Sequence, residues 1–409
     1  MELFCAPGNA GIAQIAHCSP IPVSDTAALA TFAHENKIDL TMIGPEAPLA
    51  DGIVDVFEQR GLKIVGPNRN AARLESSKAF AKDFMRRHAI PTASHHVASS
   101  IEEAARILES GEFGGEHDPV VIKADGLAAG KGVFVACDRL QASEALDELK
   151  RGVVAAEAAS KIIVEETLEG PEVSVLLFSD GKDFRLMPAA RDHKRVGEGD
   201  TGPNTGGMGS ITDSSVLDEA TRDRIVCEVV EPTLRGCAAE GIPFRGILFV
   251  GLMLTHDGPR VLEYNVRFGD PETQAILVRL QTDLAEIFEA ISETRLGSME
   301  INWSSESSAC VVLAAKGYPA KPETGAIIEG LDRARLHEHV SIFHAATTRG
   351  ANGEWLTAGG RVLGVTAIGE TLDVALSRCY AAASEIHWPG MHYRRDIGRT
   401  RGHDLGAVS

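Results

Sequence analysis

In RVLEYNVRFGDPETQ (260–274) a carboxylate, an amide and a guanidinium recur at alternate positions. Alternate residues of a strand share a face, so Glu263, Asn265 and Arg267 point one way and Leu262, Tyr264 and Val266 the other. A polar row on a buried strand is costly unless it binds something. The oxygens of Glu263 and Asn265 suit magnesium, which takes few protein oxygens and completes its shell with phosphates and water. Arg267 suits a bidentate grip on phosphate or carboxylate. The plainer alternative, an exposed strand with a salt bridge, needs the opposite face to carry the core alone.

A second candidate is VIKADGLAAGKGVFVA (121–136). It is not a Walker A loop. Gly126 and Gly130 are one residue too close, and Lys131 is followed by Gly132 where a Ser or Thr should hold the metal. The loop also runs from strand to strand, with no helix N-terminus to face a phosphate. Lys123 adds a second cation on the incoming strand. A Gly-rich hairpin with one solvated lysine is the bland reading of this loop alone. About forty residues on, IIVEETLEGPE (162–172) ends a β-branched run in carboxylates. Glu165 or its backbone could accept from an adenine amino group, and Glu172 from ribose hydroxyls; an acidic surface turn is the alternative. Between these segments and 260–274 lies RDHKRVGEGDTGPNTGGMGS (191–210), with charges of both signs at Asp192, His193, Lys194 and Arg195 and close-approach backbone at TGGMG. Its position favours a substrate lid over a plain surface loop.

These segments need elements to position them. "IDLTMIG" (38–44) and "LKIVGP" read as strands flanking a helix at 51–61, with Asp51 as N-cap and Gly61 as stop, which is a βαβ rhythm and a parallel sheet. An amphipathic helix spans 76–91. From 118 to 185 four strands and a helix at 141–151 suggest an antiparallel sheet. Helices are expected at 213–240, 273–293 and 371–386. "FRGILFVGLMLT" and "RVLEYNVRF" form a hairpin around the HDG turn. The expected fold is therefore a multidomain α/β and α+β chain: a parallel βαβ unit over 1–75, a nucleotide-binding region over 76–300 with a mobile subdomain at 118–185, a small β-rich unit over 301–398, and a tail at 399–409.

The chain has 409 residues and a net charge of −18, which argues against a general nucleic-acid binder. Seven Cys are scattered without a C-x-x-C pair, as for reduced thiols in a cytoplasmic protein. The longest apolar run, GILFVGLML, is far short of the roughly 20 residues needed to cross a bilayer. No nucleic-acid or membrane partner is expected, and the oligomeric expectation is a monomer or weak oligomer.

With these segments in this order, the chain resembles the ATP-grasp superfamily. "APGNAG" (6–11), "IDLTMIGPEAPLADG" (38–52), "LESSKAFAKDFM" (74–85), the 121–133 loop, "DHKRVGEGDTGPNTGGMG" (192–209), "EYNVRFGDPETQ" (263–274) and "GGRVLGVTAIG" (359–369) are similar to the phosphoribosylamine–glycine ligase family, to about residue 398. The resemblance implies an ADP-forming ligase of purine biosynthesis: ATP phosphorylates glycine, and the amine of 5-phosphoribosylamine attacks the glycyl phosphate. It implies ATP as co-substrate and Mg2+ or Mn2+ as metal. It implies that Lys78, Lys123 and the 124–132 loop, with Gly126, Gly130, Lys131 and Gly132, hold the phosphates. Glu165, Glu166 and Leu168 would frame adenine, and Glu172 the ribose. Glu263 and Asn265 would ligate the metal. Arg267, Asp270, Asp192, His193, Lys194, Gly206, Gly207, Met208 and Gly209 would surround glycine and its phosphorylated partner, with Arg267, Lys131 and Asp192 acting on the reacting groups. Gly8, Asn9 and Glu46 would reach in from the N-terminal unit. The family pattern opens with a strand, a Gly-Gly-Arg-Glu-His-Ala motif and a helix ahead of "APGNAG". The N-terminal unit is thus expected to lack them, through a start site set too far downstream. The alternatives are another ATP-grasp acid–amine ligase or carboxylase, and an inactive nucleotide-binding protein.

Overall fold

A computed structural model describes residues 1–128, 132–156 and 158–399. The first 75 residues hold two parallel strand pairs. Strand β1 (Phe4–Cys5) pairs with β2 (His17–Cys18), and β3 (Thr41–Met42) with β4 (Ile64–Val65). Asp51 does not cap the helix at Ile53–Gln59. It ends the short helix Glu46–Ala50, and Gly52 takes the N-cap position at φ 84°, a left-handed turn that glycine adopts without strain.

The helix expected over 76–91 runs Lys78–Arg87, and a separate helix precedes it. Arg69–Ser76 stops at Ser77, whose extended backbone (φ −140°, ψ 107°) lets its hydroxyl cap a new helix, Lys78–Arg87, by accepting from the Phe80 amide. The carboxylate of Asp125, from the Gly-rich loop, accepts from the Ala79 amide at 2.7 Å and the Ser77 hydroxyl at 3.0 Å. An anion at a helix N-terminus stabilises it, so this contact fastens the loop's root to the helix that begins with Lys78.

The antiparallel sheet expected over 118–185 divides. Its first part is a four-stranded sheet in the order β5 (His95–Ala98), β8 (Ile162–Glu166), β6 (Val120–Ala124), β7 (Val133–Ala136). Helices Ile101–Glu109 and Arg139–Lys150 cover it, and residues from Ala98 to Val164 form a hydrophobic core of their own. Strand β9 (Glu172–Asp180) leaves this unit. It is buried from Val173 onward and lies between β10 (Phe184–Leu186) and the long strand Arg245–Thr255 in a central sheet. Burial on both faces demands a partner on each edge, which only the central sheet supplies.

The stretch 191–212 is also more ordered than a lid loop. Strand β11 (Arg191–Asp192) is followed by the hairpin β12 (Arg195–Gly197) and β13 (Thr201–Asn204), and then by β14 (Gly209–Thr212). Buried Arg394 holds the hairpin by donating to the Arg195 carbonyl at 3.1 Å and the Asp200 carboxylate at 2.7 Å. Strands β15 (Arg245–Thr255) and β16 (Gly258–Asn265) make the expected hairpin. The helix expected over 273–293 is broken, with Asp283 capping a second helix at Leu284–Ser292.

The C-terminal sheet does not begin at 301. Its order is β11–β14–β17–β21–β18, where β17 is Ser307–Ala314, β18 Val340–His344 and β21 Arg361–Gly369; β19 (Thr347–Arg349) and β20 (Trp355–Thr357) form a separate hairpin. Residues 209–212 pair with 308–311, so the 191–212 stretch is built into the C-terminal unit. Helix Leu372–Glu385 packs on this sheet. Among the described residues no helix is long and apolar enough to cross a membrane.

Candidate active site

Strand β16 ends where the three units meet. The sequence expects Glu263, Asn265 and Arg267 on one face, and all three line a cavity of about 630 Å³; Leu262 and Tyr264, expected on the other face, also border it, while Val266 is buried and does not. That volume lies in the range of small-molecule sites. Lys78, Lys123 and Lys194 line the same cavity, as do Asp192, Gly132, Gly206, Asp270 and Glu46. Gly130 and Lys131 lie outside the described residues.

Glu263 lies among cations. Burial works against its charge, but Lys194, Lys123, Lys78 and Arg267 outweigh burial and hold its carboxyl below the ordinary carboxylate range. No described residue donates a hydrogen bond to it. It is therefore an ionised carboxylate with free lone pairs beside the amide oxygen of Asn265, which accepts from Arg267 at 3.3 Å. Two hard oxygens on a cavity wall fit magnesium or manganese, with phosphates and water filling the remaining positions.

Lys78 and Lys123 are held by the Gly-rich loop, by β16 and by Glu165 of β8. Lys78 donates to the Gly126 carbonyl at 3.2 Å; burial pulls its pKa down against the pull of Glu263. Lys123 donates to the Leu262 carbonyl of β16 at 3.2 Å and forms an ion pair with Glu165. The other oxygen of Glu165 meets Lys82 at 2.5 Å. Burial alone would raise the Glu165 carboxyl; Lys123 and Lys82 overcome it and hold the group ionised. Burial brings Lys82 down to about 8, with Glu165 opposing. Glu165 was expected at an adenine amino group. Its side chain is 3% exposed and committed to Lys82 and Lys123. Lys82, on the buried face of an ordinary-looking amphipathic helix, gave no sequence signal of its own.

Arg267 is gripped from two sides. Glu75 meets it at 3.0 Å and Glu46, from the N-terminal unit, at 3.3 Å. Burial opposes its charge, and these two carboxylates raise its pKa above the ordinary value. Glu75 also accepts from the Val266 amide at 2.7 Å, and burial pushes its own carboxyl up to about 7. Arg267 is thus fixed before any ligand arrives.

Asp192 and Glu272 also line the cavity. Burial, and then the charge of Glu272, raise Asp192 well above the ordinary range; burial raises Glu272 too. Two such carboxyls cannot both stay charged at low cost. Gly207 (φ 109°) passes so close that a Cβ there would lie 2.7 Å from an Asp192 oxygen, which gives the "TGGMG" glycines a steric reason. Lys194 reaches into the same space and pairs with Glu172 at 2.6 Å. Burial lowers its pKa, but Glu172, Glu263 and Asp192 together raise it above the ordinary value. Arg361, from the C-terminal unit, donates to the Asp270 carboxylate at 2.9 Å, to the Asp270 carbonyl at 2.7 Å and to the Gly206 carbonyl.

Other expected contacts lie elsewhere. The His193 ring, expected at substrate, is buried: its Nε2 accepts from the Gly398 amide at 3.0 Å, and Nδ1 sits 3.2 Å from the Gly209 carbonyl. Burial and nearby Arg394 bring it down to about 4, so it is neutral. Met208 is fully buried in the core. Glu166 accepts from the Ser94 amide at 2.8 Å. Gly8, Asn9, Gly126, Glu166, Leu168, Glu172, Gly207 and Gly209 do not line the cavity. The Asn9 amide is tied to the carbonyls of His344 and Ala345 at 3.0 and 2.9 Å.

A Gly-rich β-hairpin over an oxygen-lined strand, with buried lysines between, defines an ATP-grasp site. Solved structures agree on the fold: a Campylobacter jejuni biotin carboxylase bound to an ATP analogue superposes with a TM-score of 0.70 over 96% of this chain and 87% of that one, at 15% identity, which shows the fold alone. Residues 1–75, 76–273 and 308–400 match in turn the N domain, the ATP-grasp (A) domain and the C domain of phosphoribosylglycinamide synthetase. The chain belongs to the phosphoribosylglycinamide synthetase family. It is 46% identical to a phosphoribosylamine–glycine ligase of Vibrio vulnificus over 97% of this chain and 91% of the relative. Identity to one of Pseudomonas syringae pv. tomato is also 46%, over 98% and 94%. The crystal structure of a Thermotoga maritima phosphoribosylamine–glycine ligase superposes with a TM-score of 0.81 at 34% identity, over 97% of this chain and 94% of that one.

Proposed function

We propose that the chain joins glycine to 5-phosphoribosylamine at the cost of ATP, through glycyl phosphate, releasing glycinamide ribonucleotide, ADP and phosphate. One observation carries this reading: Glu263, Asn265, Arg267, Lys78, Lys123 and Lys194 of the middle unit converge on one cavity with Glu46 of the N-terminal unit and Arg361 of the C-terminal unit. The chemistry needs no protein nucleophile. It needs in-line positioning and neutralisation of charge on the moving phosphoryl group.

Lys78, Lys123 and the 124–132 loop hold the phosphates, with Lys82 and Glu165 fixing where Lys123 stands. Glu166 and Leu168 frame adenine and Glu172 the ribose. Glu263 and Asn265 hold Mg2+ or Mn2+, which when bound neutralises phosphate charge. Arg267, clamped by Glu46 and Glu75, faces the glycine carboxylate and its phosphorylated form. Asp192, Lys194, Asp270 and the 206–209 backbone surround the phosphoribosylamine and the glycine amino group. Gly8 and Asn9 contribute from the N-terminal unit, and Lys131 from the loop. The enzyme works in the cytoplasm as a monomer or weak oligomer, with no nucleic-acid or membrane partner. Units at 1–75, 76–300 and 301–398, the last with the 191–212 stretch built into its sheet, divide the work.

The test is a substrate-omission series. ADP release should require glycine and phosphoribosylamine together. Equal release with other small carboxylates would favour a different acid–amine ligase, and ATP binding without turnover an inactive nucleotide-binding protein.

A further inference from the structure

Seven cysteines are free, and they differ in their surroundings. Cys237, Cys310 and Cys379 are buried, whereas Cys137 and Cys227 are exposed. Cys5 and Cys18 are directly paired positions of the parallel strands β1 and β2. Residues paired across neighbouring strands lie about 4.8 Å apart, inside the Cα separation of about 4.4–6.8 Å that a disulfide spans.

Their side chains also share a face. A Cβ placed on Gly8 would lie 3.3 Å from the Cβ of Cys18 and 3.5 Å from the Cβ of Cys5, so both side chains border the space under the Gly8 turn. Cys18 is exposed to solvent, and its thiol makes only a weak contact, 3.9 Å, to the Asn9 carbonyl. Cys5 is half-buried; burial and then the neighbouring Cys18 push its pKa up.

We infer that Cys5 and Cys18 are a reversible dithiol–disulfide site that reacts with small-molecule disulfides such as oxidised glutathione. The Cys18 thiolate attacks the oxidant and forms a mixed disulfide, releasing one glutathione thiolate. The Cys5 thiolate then attacks the Cys18 sulfur, closing the Cys5–Cys18 bond and releasing the second. The two cysteine protons pass to the departing thiolates, so two protein thiols are oxidised and one glutathione disulfide is reduced. Disulfides that come and go are the kind expected in a reducing compartment. The bond would sit beneath the Gly8–Asn9 turn, whose Asn9 amide holds the C-terminal unit at His344 and Ala345.

The folded 409-residue chain is equilibrated with oxidised glutathione, alkylated, digested with trypsin and weighed. The first Lys or Arg is Lys37, so peptide 1–37 carries Cys5 and Cys18 and no other cysteine. It should escape alkylation and lose two hydrogens, with dithiothreitol restoring both thiols. Cys5→Ser should instead trap Cys18 as a glutathione adduct, and Cys18→Ser should leave Cys5 free. Alkylation of both cysteines in the oxidised wild type, a stable glutathione adduct on wild-type Cys18, or a disulfide to Cys137, Cys227 or a second molecule would each overturn the inference.

Discussion

Lys82 and Glu165 meet at 2.5 Å with both side chains 3% exposed, and Lys123 closes on the other oxygen of the same carboxylate. One buried anion thus serves two buried cations, and one of the cations reaches the β16 backbone. Removing one member of such a set leaves an uncompensated charge. Glu165→Gln should lower stability by about 3–5 kcal/mol. Lys82→Met in the same chain should recover part of that loss, because it removes the charge left unpaired. Urea unfolding of the two single variants and the double variant gives the coupling directly; additive losses would mean the pair is not the linked unit described.

Glu263→Gln keeps the shape of β16 and removes the ionised oxygen. ADP release should fall by about 10²–10³-fold, measured on chain shown to be folded, because the variant also leaves the surrounding cations less compensated. Wild-type turnover in this variant would remove Glu263 from the site.

Arg361 brings the C-terminal unit to the cavity through two carbonyls and a carboxylate. A lysine there keeps the charge but loses the planar fork. Arg361→Lys should therefore reduce kcat/KM by on the order of 10²-fold, while ATP affinity, measured by calorimetry, stays near that of the parent. A matching loss of ATP affinity would show that Arg361 acts on the nucleotide side.

His193 predicts a pH dependence of stability. Its folded pKa is about 4 against an ordinary 6.5. As pH falls, the unfolded chain therefore takes up the proton first. The stability contributed by the neutral ring is complete above pH 6.5 and drains away as pH falls through about 4, a loss of roughly 3 kcal/mol. His193→Gln, whose side-chain oxygen can still accept from Gly398, should flatten the thermal midpoint between these pH values. An unchanged slope would place the acid sensitivity elsewhere.

Much of the site was readable because a strand has period two. Glu263, Asn265 and Arg267 declare a shared face by spacing alone, and the HDG turn fixes their hairpin. Glu75, Lys82, Glu272 and Arg361 carry no such signal. Each sits in an ordinary helical or strand pattern and acquires meaning only when the chain brings it beside β16 from up to about a hundred and ninety residues away. The same limit explains β9. Its apolar run fits either sheet, and only the nine-residue register with β15 decides which. The contact of Asp125 with the start of the helix at Lys78 was hidden because Asp125 belongs to another element. His193 looked like a ligand in a polar segment, and the contacts that bury it come from Gly209 and Gly398.

The central claim is that phosphoryl transfer to the glycine carboxylate precedes amide formation in the cavity walled by Glu263 and Arg267. Glycine labelled with oxygen-18 in its carboxylate tests it in one turnover with ATP and phosphoribosylamine. The account predicts that one labelled oxygen leaves with inorganic phosphate and the other remains in the glycinamide ribonucleotide. Phosphate free of label, with amide still formed, would contradict it.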